Sequence, residues 1–137
     1  MLKSTVAIGA FFVALAWTSA CLAANWVIAT APSVTPALYY DSTSIVRSGN
    51  TAQVGVLENN TGSVSASDGS FNYVSSFAVY DFDCGQHTIT SVSQMTYYSG
   101  QWLSGTVVHQ YSERIATNHA VQPGSANDDM LRGACGY

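Results

Sequence analysis

The sequence contains very little positive charge. Of its 137 residues only four are Lys or Arg, against eight Asp or Glu, so the formal net charge is −4 at pH 7. The basic residues are also dispersed along the chain, at Lys3, Arg47, Arg114 and Arg132. Nucleic acids, heparin-like polymers and anionic lipid surfaces are bound by clusters of Lys and Arg. The absence of such a cluster in the sequence argues against these partners.

Motifs for catalysis and metal binding are missing as well. The three histidines, His87, His109 and His119, fall on separate segments, whereas a zinc site needs closely spaced ligands. No Gly-x-Ser-x-Gly nucleophile motif occurs, although composition leaves open a Ser-His-Asp triad assembled from distant residues. Asp81 and Asp83 share one face of a strand and could act as an acid–base pair, but capping of turn amides explains them more simply. We therefore expect no catalytic residue, no metal site, no cofactor and no enzymatic activity.

Long apolar runs are absent except near the N-terminus. Lys3 precedes an apolar stretch at residues 6–17, and small residues follow as far as Ala24. This order is typical of a secretory signal peptide, and the stretch is shorter than the roughly 20 apolar residues of a membrane span. We expect a signal peptide at residues 1–24 and one mature domain at residues 25–137, with no membrane span. Lipidation at Cys21, whose context resembles a bacterial lipobox, and retention of the segment as an anchor are the alternatives.

Cysteine is scarce, with three residues in the whole chain. Cys21 belongs to the leader, so export leaves Cys84 and Cys135 as a pair in an oxidising compartment, where disulfides form. A bond between these two residues would close a loop of about 50 residues, which stabilises a fold by roughly 4 kcal/mol in the loop-entropy model. We predict this disulfide, with two free buried thiols as the alternative.

Alternation of apolar and polar residues is what the mature part does contain, and it predicts β-strands separated by turns. Residues 71–82 are apolar on both faces, which is typical of a central strand buried on both sides. A change of parity between Ile89 and Val92 indicates a β-bulge. Residues 59–70 carry almost no apolar side chains, so we expect them to form the longest loop. The predicted strands are 26–29, 37–40, 51–57, 71–82, 87–98 and 102–111.

The C-terminal segment predicts a short helix. Ser125 has the position of an N-cap, and Asp128 follows it three residues later in place of the usual Glu. Carboxylates in the first turn favour the positive end of the helix dipole. A helix of about ten residues is marginal alone, so it needs docking onto the sheet. The predicted fold class is α+β, a mainly antiparallel sheet with a short C-terminal helix docked by the disulfide.

Aromatic residues are plentiful, with eight Tyr, five Phe and three Trp. Tyr and Trp pack well in β-sheet cores, and they are also favoured at interfaces because they combine apolar area with a polar tip. Neighbouring residues of a strand point to opposite faces, so one member of each Tyr-Tyr pair can be exposed. Core packing is the alternative role for these side chains. The candidate partner-binding residues are Tyr39, Tyr40, Tyr97, Tyr98 and Trp102.

Several short sequences occur in a fixed order along the mature chain. Trp26 is followed by Tyr-Tyr-Asp-Ser-Thr-Ser-Ile at 39–45, a strand at 51–57, Tyr-Asp-Phe-Asp-Cys at 80–84, Tyr-Tyr-Ser-Gly at 97–100, and Val-Gln-Pro-Gly-Ser at 121–125 before the final helix. This order resembles the surface-adhesin protein E family of small exported bacterial proteins. The resemblance implies an antiparallel sheet joined to a C-terminal helix by a disulfide. The chain departs from the family pattern where Gln86 and His87 replace the usual basic residues, and in its low Lys and Arg content.

The expected function follows from export, charge and this resemblance. We expect a non-enzymatic envelope or surface protein, in the periplasm, on the outer-membrane surface or secreted, which binds a host, matrix or envelope protein. A structural or accessory periplasmic protein with no external ligand is the alternative, and a hydrolase is the third hypothesis. Removal of the leader leaves three arginines against eight carboxylates, a net charge of −5. We therefore expect aromatic contacts rather than charge to dominate binding.

Overall fold

A computed structural model of the protein describes residues 23–30 and 34–137. Nearly all of the predicted leader, including Cys21, lies outside the described residues. The described residues form eight strands, one 3-10 turn and one α-helix. These are β1 (Trp26–Ile28), β2 (Ala37–Asp41), β3 (Val46–Ser48), β4 (Thr51–Ser65), β5 (Asn72–Asp83), β6 (Thr88–Tyr98), the 3-10 turn (Gln101–Leu103), β7 (Val107–Tyr111), β8 (Ile115–Ala120) and α1 (Ala126–Cys135).

All eight strands belong to one antiparallel sheet with the order β1-β2-β4-β5-β6-β7. β3 also pairs with β4, next to β2, and β8 also pairs with β6, next to β7. The centre of the sheet therefore consists of three long strands. Two short strands lie end to end on each side of this centre, β2 and β3 beside β4 and β7 and β8 beside β6, and β1 pairs with the outer side of β2. β5 lies at the centre between β4 and β6, as its two apolar faces predict.

The main core lies between the sheet and α1, on what we call the helix-side face. Alternate residues of β4 point to this face, so Ala52, Val54 and Val56 are all buried. Burial of each large aliphatic side chain here stabilises the fold by about 1.5–3 kcal/mol. The helix contributes its apolar side, and neighbouring strands complete the cluster: the further buried residues include Phe82, Ile89, Met130, Leu131 and Ala134.

Both ends of α1 are fixed by specific contacts. At the N-terminus the Ser125 hydroxyl accepts a hydrogen bond from the Asp128 amide at 3.2 Å, which confirms the predicted cap. At the C-terminus Arg47 donates from Nε to the Ala134 carbonyl at 2.6 Å and from Nη2 to the Gly133 carbonyl at 3.1 Å. A guanidinium at this position satisfies carbonyls that have no partner within the helix and favours the negative end of its dipole.

A disulfide links α1 to the sheet. It joins Cys84, in the turn after β5, to Cys135, the last residue of α1, and the two Cα atoms lie 5.8 Å apart. The predicted pairing and the predicted fold class are therefore confirmed. This disulfide lies at one end of the sheet, and the helix and the main core lie in the same half.

Two predictions about the strands are wrong. Residues 59–70 do not form a long loop, because β4 continues to Ser65 and pairs with β5 beyond an irregularity between Asn59 and Val64. Residues 102–111 do not form one strand, because Trp102 lies in the 3-10 turn with a positive φ of 54°. In addition, β8 follows β7 where no strand was predicted. The predicted bulge in β6 is confirmed. Asp81 of β5 pairs with Ser91 and the next residue, Phe82, pairs with Ile89, so one residue of β6 between them has no partner in β5.

Candidate binding surface

Helix α1 covers only part of the helix-side face. It packs against β2, β3, β4 and β5, near the disulfide end of the sheet. The remaining part is built from the start of β5, the end of β6 and β7. Ser76 pairs with Tyr97, and Tyr97 with His109, so these side chains point to the same face as the core. We call the side chains that line this uncovered part the aromatic groove: Phe71, Tyr73, Met95, Tyr97, His109 and Tyr111.

Ring contacts hold the aromatic groove together. Phe71 stacks on His109 with 4.5 Å between ring centroids and meets Tyr97 edge-on at 4.9 Å. Tyr73 also meets Tyr97 edge-on, at 4.8 Å, and Tyr111 contacts His109 at 4.4 Å. Edge-to-face and offset pairs of this kind each contribute about 0.5–1.5 kcal/mol beyond the area they bury. The rings therefore support one another, although no helix covers them.

The groove encloses a cavity of about 380 Å³, bounded by four of these rings, Met95, Asp68 and Ile115. A second cavity of about 470 Å³ lies between β8 and the start of α1, and Tyr80, Val92 and Asn127 are among its lining residues. Ile115 lines the first cavity and pairs directly with Val92, which lines the second. The two cavities are therefore neighbours along β6, and we call the pair the elongated depression.

The electrostatic character of the groove is negative. The Tyr73 hydroxyl donates a hydrogen bond to Oε1 of Glu58 at 2.9 Å. Burial, followed by the Glu58 carboxylate, raises the pKa of both Tyr73 and Tyr97, so both phenols stay neutral. At the rim the Ser70 hydroxyl donates to Asp68 at 2.6 Å and holds the pKa of this carboxyl below its usual value. The groove thus combines neutral rings with two charged carboxylates.

A comparison with models of protein families identifies the family that this chain matches. The family model of surface-adhesin protein E matches residues 26–136. The chain belongs to the surface-adhesin protein E family. The resemblance seen in the short ordered sequences is thereby confirmed, and the match extends over nearly all described residues.

Solved structures of a family member share the fold of this chain. Haemophilus influenzae protein E, in its crystal form II, is 13% identical with a TM-score of 0.53, covering 72% of this chain and 80% of that chain. A second structure of the same Haemophilus protein is 13% identical with a TM-score of 0.50, covering 72% and 76% respectively. At this identity the likeness concerns the fold alone. A search of curated protein sequences found no significant match.

In this member of the surface-adhesin protein E family, the five predicted partner-binding residues do not form one site. Tyr97 lies in the aromatic groove. Tyr40 is half-buried between the sheet and α1, where Gly133 faces its ring. The remaining three residues lie on or near the opposite side of the sheet, which we call the far face. There Tyr39 contacts Trp102 at 4.7 Å, Trp102 is 50% exposed, and Tyr98 is half-buried.

Sequence reasoning missed most of the aromatic groove. Its members fall into three pairs with one residue between the partners: Phe71 with Tyr73, Met95 with Tyr97, and His109 with Tyr111. Such spacing places both side chains of a pair on the same face of a strand. Three pairs of this kind on consecutive predicted strands would have indicated a shared aromatic surface.

Asp81 and Asp83, the two carboxylates that share a strand face, both have structural partners. Asp81 accepts hydrogen bonds from Gln53 at 2.8 Å and from the Ser91 hydroxyl, and Arg114 lies 3.6 Å away. Asp83 accepts from the amides of Gly85 and Gln86, both at 2.9 Å, as predicted for a turn cap. Across residues 23–30 and 34–137, no group of three His, Cys, Asp or Glu side chains is placed to hold a metal ion. In the same residues no helix is both long enough and apolar enough to cross a membrane.

Proposed function

We propose that this protein is a non-enzymatic surface adhesin that binds a protein partner through the aromatic groove. Membership in the surface-adhesin protein E family supports the adhesive role. The observation that carries the proposal is the placement of three aromatic-bearing strand segments on the part of the helix-side face that α1 leaves uncovered. A host protein, a matrix protein or a protein of the bacterial envelope is the class of partner.

The chemistry of the groove suits protein binding. Tyr side chains bury large areas with little loss of conformational freedom and keep a hydroxyl for a hydrogen bond. Well-buried aromatic anchors at the centre of an interface each contribute about 2 kcal/mol or more. The elongated depression of two neighbouring cavities accommodates side chains of a partner that lies across the sheet.

Exposure of the protein on the outer surface of the cell is part of the proposal, and protease treatment of intact cells tests it. Degradation of the protein, while a periplasmic marker stays intact, is the expected result. Protection equal to that of the marker would favour the accessory periplasmic role instead. Mass spectrometry of the same exported protein determines whether it begins at Asn25 or carries a lipid on Cys21.

Binding variants test the groove. Tyr97→Ala and Tyr111→Ala remove rings from the groove, and Trp102→Ala removes an equally aromatic but more exposed side chain from outside it. We expect the two groove variants to weaken binding to an immobilised panel of host and matrix proteins at least tenfold, with Trp102→Ala unchanged. Loss of binding only in Trp102→Ala would move the site away from the groove and contradict the proposal. Thermal unfolding of each variant verifies that it is folded.

A further inference from the structure

Resting on the proposed function, we propose that the aromatic groove receives a positively charged side chain, Arg or Lys, from an extended segment of the partner protein. The rings of Phe71, Tyr97 and Tyr111 supply the walls of the site. The carboxylate of Asp68 lies at its rim, and Glu58 lies behind Tyr73.

Aromatic walls around a cavity attract cations. The face of an aromatic ring is electron-rich, so it attracts a guanidinium or ammonium group within about 6 Å of the ring centre. Phe71, Tyr73, Tyr97 and Tyr111 all line the same cavity of about 380 Å³. Several rings around one cavity form the arrangement by which proteins recognise ammonium groups.

Two carboxylates near the aromatic groove add a negative potential. Glu58 accepts hydrogen bonds from the Tyr73 hydroxyl at 2.9 Å and from the side-chain amide of Asn60 at 3.1 Å, both of which are uncharged groups. Asp68 accepts hydrogen bonds from the backbone amide and the hydroxyl of Ser70, at 3.0 Å and 2.6 Å. These contacts hold the carboxylates in place, and His109 of the groove adds to the effect of Ser70 in lowering the pKa of Asp68.

The arginines of the described residues are engaged elsewhere. Arg47 donates to the carbonyls at the end of α1. Arg132 is paired with Asp128 in the same helix at 3.1 Å, and Arg114 lies 3.6 Å from Asp81, whose register partners point to the far face. An Arg or Lys side chain that enters the groove beside His109 must therefore come from another molecule, and the net charge of the chain favours a basic partner.

The neighbouring second cavity favours a protein segment as the source of the cation. Tyr80, Ile89 and Val92 give this cavity a mainly apolar lining. An extended segment that places a cationic side chain in the groove presents its next side chain on the same face about 7 Å further along, which suits an apolar residue directed at the neighbouring cavity. A lipid headgroup or a free ammonium ion would fill only the first.

Two peptides that differ in charge alone test the inference. The first is Ac-SRSVS-NH2, which has its arginine and valine two positions apart. The second replaces arginine with citrulline, which has nearly the same shape without the charge. Titration of the purified, disulfide-bonded protein, followed by NMR, should show the arginine peptide binding about tenfold more tightly than the citrulline peptide.

Variants of the protein test which residues produce the preference for the arginine peptide. Asp68→Asn should weaken the arginine peptide about threefold and leave the citrulline peptide unchanged, as expected for loss of one exposed charge. Tyr97→Leu and Tyr111→Leu keep apolar volume but remove one ring each, and they should reduce the preference for arginine from about tenfold towards the roughly threefold share that Asp68 supplies. Trp102→Leu is the matched control and should leave both affinities unchanged.

Four outcomes would overturn the inference. Equal affinity for both peptides, or no binding of either, would remove the cation site, while partner binding that is lost in Tyr97→Ala would still support the proposed function. Unchanged arginine preference in the two Leu variants would place the cation elsewhere. Saturable binding to phosphatidylcholine vesicles with no binding of the arginine peptide would identify a lipid headgroup as the source of the cation.

Discussion

Gly133 lies where α1 closely approaches Tyr40 of the sheet. A Cβ atom added there would lie 2.7 Å from Cε2 of Tyr40 and closer still to its Cζ. Replacement of Gly by Ala inside a helix gains about 1 kcal/mol of helix propensity, whereas overpacking a well-packed contact costs about 1–3 kcal/mol. At this position the steric cost outweighs the propensity gain.

We therefore expect Gly133→Ala to lower the free energy of unfolding by about 1 kcal/mol or more, measured by urea denaturation. Gly62→Ala is the matched control, because nothing lies within 4 Å of the atom that it would add. The control should change stability by less than about 0.5 kcal/mol. A Gly133→Ala protein as stable as the parent would show that Tyr40 moves aside without cost.

The stability of the N-terminal end of α1 depends on pH through Asp128. The backbone N–H of Gly124 donates to this carboxylate at 2.9 Å, and Arg132 donates at 3.1 Å. The amide hydrogen bond, followed by the contact with Arg132, holds the pKa of Asp128 below its usual value despite burial. Since the pKa is lower in the folded state than in the unfolded state, the contribution to stability is full above about pH 4 and is lost as the pH falls through the folded-state pKa.

Acid should consequently weaken the N-terminal end of α1. We expect the free energy of unfolding to fall between pH 5 and pH 2, and Asp128→Asn to remove part of this dependence because it does not ionise. Asp129→Asn, an exposed neighbour in the same turn, is the control and should keep the parent pH profile. Identical profiles for the parent and Asp128→Asn would contradict the assignment.

At the level of elements, α1 depends on the disulfide that docks it. The bond closes a loop with a sequence separation of 51, for which the loop-entropy model gives roughly 4 kcal/mol. A ten-residue helix is marginal in isolation. Cys135→Ser should therefore release α1 before the sheet unfolds.

Amide hydrogen exchange measures this order directly. In Cys135→Ser the amides of α1 should exchange faster than those of β4 and β5, whereas in the parent protein both should be protected. The double variant Cys84→Ser with Cys135→Ser should behave like the single one, because one missing sulfur already removes the bond. Equal loss of protection in the helix and the sheet would mean that the two elements unfold as one unit.

The sequence allowed the elements with strong local signals to be predicted. The cap at Ser125, the two-sided apolar strand β5 and the bulge in β6 all leave a pattern in neighbouring residues. The distal half of β4 shows no alternating apolar pattern, because Thr61, Gly62 and Ser63 are exposed and carry no apolar side chain. β8 was missed for the same reason, since all six of its residues are exposed.

The candidate site was harder to predict than the fold. Tyr97 was identified, but its neighbours Tyr73 and Tyr111 come from other strands and meet it only through the register of the sheet. Tyr39 and Tyr40 are adjacent residues of the same type, so the sequence does not distinguish them. Only the position of α1 determines that Tyr40 packs against the core while Tyr39 lies on the far face. Side-chain type indicates aromatic contact, whereas topology decides where the contact forms.

At the level of the whole molecule, binding through the groove should depend little on salt. Attraction between exposed charges, such as that of Asp68 for a cation, is screened within about 8 Å at physiological ionic strength, whereas the apolar contacts that dominate the groove are much less affected. We expect the affinity for a partner to change less than about threefold between 50 and 500 mM NaCl in a titration. A collapse of affinity in high salt, or retention of the protein on heparin resin, would indicate surface charge as the main attraction.

The difference in length between the helix and the sheet has a consequence for diversification. Helix α1 has ten residues and rises 1.5 Å per residue, so it is about 15 Å long. β4 has fifteen residues and extends for about 50 Å. The disulfide, α1 and the main core are therefore separated in space from the aromatic groove. Under the proposed function, substitutions at the uncovered end can alter what the protein recognises without disturbing the disulfide end, so a single scaffold can acquire new binding partners through a few side chains on three strands.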